Sequence, residues 1–325
     1  MRVPRWVWWG AGIAVLVFLL GGLGYLAYGA LDGLYPQGLW RYFRPVPGPA
    51  SGSILYRHVD GYLLLAPVAD PGQAQRLSPE APEIVRDAVF LSDGKAVAYI
   101  ATDRRSGRPE TEHLKVVGLD GAVRHDLVLG EAAGEPLLPT LYVSRSGRYL
   151  ALTSRDRGHV YYFDTVAGGP LAQGQPESPP EPVLWHRNGD LRQAPFAGQT
   201  AYALSPDGKV RAQVRAGERR APACGEAECE AVSELAVTPQ TVTGLGQGGY
   251  PLYGVFSSVS AEGWGPLPAQ PAARFYGRLV WSPDGRQLLF TTLDGAESRV
   301  FAIGVDGRTR PRLVLDGAEA LDWAS

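Results

Sequence analysis

The sequence predicts an all-β fold: a β-propeller of about five four-stranded blades, closed by pairing of N- and C-terminal strands and preceded by one transmembrane helix. Three observations carry this. A strand–turn–strand unit is written four times, the two ends of the repeat region read as complementary parts of one blade, and an uncharged stretch lies near the N-terminus.

The unit is clearest from Leu279 to Phe290, where Leu-Val-Trp leads into Ser282-Pro283-Asp284-Gly285-Arg286 and Leu-Leu-Phe leads out. Pro presets φ, Asp can bond its own backbone, and Gly accepts the positive φ that other residues resist, so the motif is a hairpin turn. It returns around Asp207-Gly208, around Gly147 and around Asp93-Gly94. Each copy has a large apolar residue four places before the glycine (Phe90, Val143, Leu204, Trp281) and Lys or Arg directly after it. Successive turn glycines stand farther apart than the roughly 40–45 residues of a WD-type blade, so the repeats carry insertions. The insertions are the Pro-rich run 175–182, the stretch around the two cysteines, and residues 263–273. Short apolar runs such as 299–303 and 312–315 follow the best copy, which gives four strands per repeat. With 41 Gly and 27 Pro, a helical reading fails outside the N-terminus.

In chain order, residues 1–5 form an N-terminal cytoplasmic tip and residues 6–31 a transmembrane helix without a charged side chain, long enough to span the hydrocarbon. A cleaved signal peptide with a small-x-small site at 27–29 is the alternative; the apolar run exceeds a signal h-region. Arg2 and Arg5 before the segment favour an inside N-terminus, making this a single-pass membrane protein with an extracytoplasmic propeller, periplasmic or at the cell surface. Residues 32–51 are an aromatic and Pro-rich linker, and 52–325 the propeller as one domain. Within it, the strand at 52–56 lacks a preceding turn, and the closure strand containing Leu321 and Trp323 lacks a following one, with Trp323 in the place of Trp281. Together they make one blade and leave the ring no open edge. Four other blades give five; a sixth would have to lie within 240–264.

The turn pattern Ser-Pro-Asp-Gly-(Lys/Arg)-x-Leu-x-Phe is similar to the WD40-like (PD40), TolB-type propeller repeat. The resemblance implies the fold and is almost silent on activity, because such propellers include periplasmic partner-binding proteins and the non-catalytic domains of prolyl-peptidase-like enzymes.

Cys224 and Cys229 are the only cysteines. Four residues between them suit a small disulfide loop in an exported protein, with free thiols as the alternative. No histidine stands at a zinc-type spacing to them, so no metal is expected. Neither a Gly-x-Ser-x-Gly elbow, a His-Glu-x-x-His pair nor a phosphate-binding loop is present, so no catalytic residues and no cofactor are assigned. Arg124-His125-Asp126 falls on a strand, and the repeated Asp-Gly pairs are explained by turns rather than by calcium. A net charge of −2 without basic runs argues against nucleic acid. The expected role is therefore a non-enzymatic, membrane-anchored protein-binding or scaffold module with another envelope protein as partner. The alternative is a small-ligand sensor or hydrolase-like enzyme with its site at the propeller's channel mouth.

Overall fold

The computed structural model describes residues 47–48, 51–78, 83–91, 94–104, 111–175, 177–216, 233–241, 244–245, 250–255, 274–294, 296–306, 309 and 311–325. Cys224, Cys229, Asp93 and the proposed membrane segment lie outside them. No helix among the described residues is long and apolar enough to cross a membrane.

Five antiparallel sheets form the blades of a propeller. The first joins β1 (Ser53–His58), β2 (Leu63–Pro67) and β3 (Gln75–Arg76); the second is β4 (Glu83–Phe90), β5 (Ala96–Asp103), β6 (Thr111–Gly118) and β7 (Val123–Val128). After a short helix α1 (Leu129–Ala133), whose Leu129 is buried beside Leu114, comes the third: β8 (Tyr142–Val143), β9 (Tyr149–Thr153), β10 (Val160–Asp164) and β11 (Ala172–Gly174). The short β12 (Asn188–Asp190) precedes the fourth blade, which is β13 (Ala203–Leu204), β14 (Val210–Ala216), β15 (Ser233–Thr241), β16 (Gly244–Leu245) and β17 (Tyr250–Val255). The fifth is β18 (Arg274–Trp281), β19 (Gln287–Asp294), β20 (Glu297–Gly304) and β21 (Arg312–Asp316). The final strand, β22 (Ala318–Ala324), returns to the first blade as its innermost strand, with Ile54 opposite Trp323 and Leu55 opposite Asp322. One correction follows for residues 240–264: their described strands pair with β15 and complete the fourth blade, so they add no sixth.

The hairpin turns between first and second strands work as their residues require. Gly94, Gly147, Gly208 and Gly285 have φ of 60°, 75°, 72° and 67°. Asp207 Oδ1 accepts from Ser205 Oγ (2.7 Å) and Lys209 N (3.1 Å), and Asp284 Oδ1 from Ser282 Oγ (2.6 Å) and Arg286 N (3.0 Å). The serine closes the turn, accepting from Val210 N or Gln287 N at 2.9 Å. In the third blade Ser146 takes the aspartate's place, accepting from Arg148 N at 3.0 Å. Another copy, not evident from the repeat alignment, sits between β9 and β10. There Asp156 accepts from Ser154 Oγ and from Gly158 N, and Arg157, at φ 62°, occupies the glycine's slot.

Packing between blades uses the residue four places before the turn glycine in three of the four copies, and Trp323 at the equivalent place in β22; Leu204 is only partly buried. Phe90 lies with Leu55, Leu63 and Leu321 of the first blade, and Val143 with Ala98 and Ile100 of the second. Trp281 lies with Ala203, Ala212 and Leu235 of the fourth, and Trp323, 2% exposed, with Val280, Leu289 and Val300 of the fifth. These four side chains face the preceding blade, so the ring closes by apolar contact as well as by the β1–β22 ladder.

Candidate functional site

The innermost strands are interrupted by β-bulges, which bend a strand and re-aim a side chain. Register shifts lie between Val85 and Asp87 in β4, between Tyr276 and Val280 in β18, and at Leu321 between Ala320 and Asp322 in β22. The bulge in β18 uses Gly277 at φ 68°, where an added Cβ would fall 2.5 Å from Glu319 Oε1. Asp87, Arg278 and Asp322 lie at these shifts on innermost strands, and all three are buried.

Asp87 and Asp322 staple neighbouring blades in the same way. Asp87 Oδ1 accepts from its own successor, Ala88 N (2.9 Å), and Oδ2 from Leu141 N (2.6 Å) ahead of the third blade's β8. Asp322 Oδ1 accepts from Trp323 N (2.8 Å) and Oδ2 from Phe90 N (2.7 Å) in the second blade. Arg278 then reaches from the fifth blade across the axis: its Nη2 donates to Asp87 Oδ2 and to Leu141 O at 3.1 Å. The pair is 0% and 2% exposed. Burial lifts the Asp87 carboxyl to about 6, against the opposing pull of Arg278 and the Leu141 amide.

A strap runs along the inner edges of the blades. Leaving the Pro-rich run, Arg145 N donates to Pro182 O (2.9 Å) and Leu184 N to Val143 O (2.8 Å) along β8, and Leu204 N to His186 O (2.6 Å) at β13. Then β12 adds to the inner edge of β18, Asn188 opposite Val280 and Asp190 opposite Arg278, and Leu191 N donates to Gly277 O at 2.7 Å. The strap thus binds the inner strands of three successive blades. It reaches the first blade too, because Asn188 Nδ2 donates to Asp322 Oδ1 at 2.7 Å and Arg187 lies 3.3 Å from the same oxygen. Gly189 is needed here, since a Cβ would come within 2.3 Å of the Tyr202 carbonyl. Trp185 anchors the strap between Tyr142 and Phe196, with ring centroids 5.0 and 5.1 Å away. His186 stacks on Tyr202 at 3.8 Å; burial and nearby Arg211 pull its pKa down to about 4, so it is neutral at pH 7.

The strap's far end meets a cleft of about 280 Å³ between the first, second and fifth blades, at the end of the ring opposite the Ser-Pro-Asp-Gly turns. Arg192 binds Asp190 (2.9 Å) and Glu319 (3.2 Å), and Glu319 also pairs with Arg57, which donates to Val85 O at 3.1 Å. Arg57, Tyr276 and Glu319 line the cleft, with Arg86, Ile84 and Leu293.

The residues singled out in the sequence are dispersed. The repeat turns lie at the other end of the ring, and Leu321 and Trp323 are core residues. Arg124-His125-Asp126 does not act as a trio: His125 contacts Thr165 O, whereas Asp126 pairs with His113 at 2.8 Å. Glu135, Asp156 and His159 come within 4.8 Å of one another on the third blade and could each offer a ligand atom. Their oxygens already serve the protein, however: Glu135 Oε1 accepts from Tyr161 Oη (2.5 Å) and contacts His159 Nδ1 (3.0 Å), and Asp156 closes its turn. The axial residues Asp87, Asn188, Asp190, Arg278 and Glu319 were not singled out. The available signal was a charge inside an otherwise apolar inner strand, as in Asp87-Ala88-Val89-Phe90 and Arg278-Leu279-Val280-Trp281.

No family model matches this chain, and no curated protein does. Solved structures do. The chain is similar to tricorn protease (14% identity, TM-score 0.28), covering 80% of this chain and 21% of that one. It is similar to Porphyromonas gingivalis dipeptidyl peptidase 4 (13%, TM-score 0.27; 84% and 39%). A protein assigned as TolB in Agrobacterium tumefaciens matches at 14% identity and TM-score 0.32, with 84% of each chain covered. The chain therefore spans only a minor part of the two peptidases. At these identities the likeness concerns the propeller fold alone.

Proposed function

We propose that this chain is a non-enzymatic binding ring, held at a membrane by residues 6–31 and presenting its outer loops to another protein of the cell envelope. The observation that carries the reading is the filled axis. A propeller that works on a substrate through its channel needs an open axis, and here the strap and the Arg278–Asp87 pair run across it with bonds to several blades. Those cross-axis bonds make the ring a rigid support, and rigidity lowers the ordering cost of docking on its surface. Membrane tethering adds effective concentration toward partners in the same membrane.

Cross-linking in cells tests this with two forms, the full chain and one beginning near Pro45. The full chain should capture a defined envelope protein, and the shorter form should capture less of it. Capture of no partner by the full chain, together with turnover of a small molecule by the ring, would replace this reading with an enzymatic one.

A further inference from the structure

His113 is the one histidine among the described residues whose two ring nitrogens meet a hydroxyl and a carboxylate. His58 and His159 contact a carboxylate through Nδ1, His125 the Thr165 carbonyl, and His186 a tyrosine ring. His113 Nε2 lies 3.3 Å from Thr111 Oγ1, and its Nδ1 lies 2.8 Å from Asp126 Oδ1. The arrangement follows from the sheet. Thr111, His113 and Lys115 alternate along β6 and so share one face, while Asp126 on β7 stands opposite Lys115 and reaches His113 diagonally. Lys115, 7% exposed, pairs with Glu83 and lies 3.6 Å from Asp126 Oδ2, which helps to fix that carboxylate. A carboxylate only accepts, so the neutral His113 ring carries its proton on Nδ1 and turns the Nε2 lone pair to the Thr111 hydroxyl. Thr111 itself is exposed, so a reagent in solution reaches that hydroxyl.

We infer that Thr111 is a reactive hydroxyl that accepts an acyl group from an activated ester, with His113 as the base that takes its proton and Asp126 as the group that orients the ring. Hydroxyl, imidazole and carboxylate in this order are the parts of nucleophilic acyl transfer, and they are recognised by geometry rather than by sequence position. In the step, Thr111 Oγ1 bonds to the ester carbonyl carbon, and the bond from that carbon to the departing oxygen breaks. The Oγ1 proton passes to His113 Nε2 and from there to the departing oxygen, so the products are an ester on Thr111 and a free alcohol or phenol. This goes beyond the binding-ring reading: capture of an envelope protein and acylation of Thr111 can each fail without the other.

Acetylation of the purified full chain by p-nitrophenyl acetate tests this, with peptide mapping by mass spectrometry giving the rate at Thr111 and, in the same molecules, at the exposed Thr200. General-base assistance contributes about 10²–10⁴-fold, so Thr111 should be acetylated at least about a hundredfold faster than Thr200. His113→Gln, checked for an unchanged fold by circular dichroism, should bring Thr111 down to the Thr200 rate. The orienting role of Asp126 has its own readout. Nitrogen NMR of the neutral His113 ring should show the proton on Nδ1 in the wild type, and Asp126→Asn should shift it toward Nε2 and slow acetylation of Thr111 several-fold. Equal rates at Thr111 and Thr200, an unaltered Thr111 rate in His113→Gln, a wild-type ring protonated on Nε2, or no change in either readout for Asp126→Asn overturns the inference.

Discussion

The ion pair across the axis makes a quantitative prediction. Replacing Arg278 by Met removes the one cation that touches Asp87 among the described residues and leaves a carboxylate that is 0% exposed. Breaking one side of a buried pair costs about 3–5 kcal/mol, because the remaining charge is uncompensated. The cost should depend on pH in a defined direction. Burial already holds Asp87 at about 6, above an ordinary 3.8, with Arg278 the leading opposing influence. A carboxyl raised in the folded state contributes stability below its unfolded value, and that contribution is lost as pH rises through the folded value. Without Arg278 the folded value climbs further, so Asp87 takes up a proton nearer neutrality and the variant sheds part of its penalty on acidification. At 1.36 kcal/mol per pKa unit, the Arg278→Met penalty should shrink by roughly 1 kcal/mol between pH 7 and pH 5. Urea unfolding of wild type and variant at both pH values measures this. A penalty below about 1 kcal/mol at pH 7, or one that is equal at both pH values, would refute the argument that the pair is desolvated and coupled.

Other consequences are simpler to state. Trp323→Ala should destabilise the ring by about 3–5 kcal/mol in the same unfolding assay, since the side chain fills the first–fifth blade interface and its Nε1 donates to Ser51 O at 3.1 Å. Arg157→Gly should raise stability by about 1 kcal/mol, because Arg157 holds φ 62° in a turn where the other copies place glycine. His186 has its pKa lowered to about 4 and must gain a proton on unfolding below its ordinary 6.5, so its contribution is present above 6.5 and lost as pH falls toward 4. His186→Gln should therefore flatten stability against pH in that window, as read by thermal melts.

The blades were legible because turn chemistry is local. Ser, Asp and Gly in Ser282–Gly285 each have a job within the turn, and Trp281 and Trp323 declared equivalent positions by their spacing. Closure by β1 and β22 was legible for the same reason. The strap was not, because Asn188-Gly189-Asp190 has neither alternation nor apolar length, and its pairing with β18 spans about ninety residues of sequence. The Pro-rich run before it reads as an insertion and gives no sign of where the chain goes next. Asp87 and Arg278 stand equally far before Gly94 and Gly285, so both lie on inner strands; that they meet across the ring depends on blade number and bulges. Candidate site residues were hidden on the same ground, since Arg57, Tyr276 and Glu319 come from three strands with no shared motif.

Amide hydrogen exchange tests the filled axis most directly. The amides of Phe90, Leu141 and Leu191 are held by Asp322, Asp87 and Gly277 O at 2.7, 2.6 and 2.7 Å. If strap and staples close the ring, these three should exchange only through global unfolding, as slowly as amides in the centre of β5. Exchange of the three at the rate of exposed loop amides, with β5 still protected, would mean an open axis and would remove the ground for reading the chain as a closed binding ring.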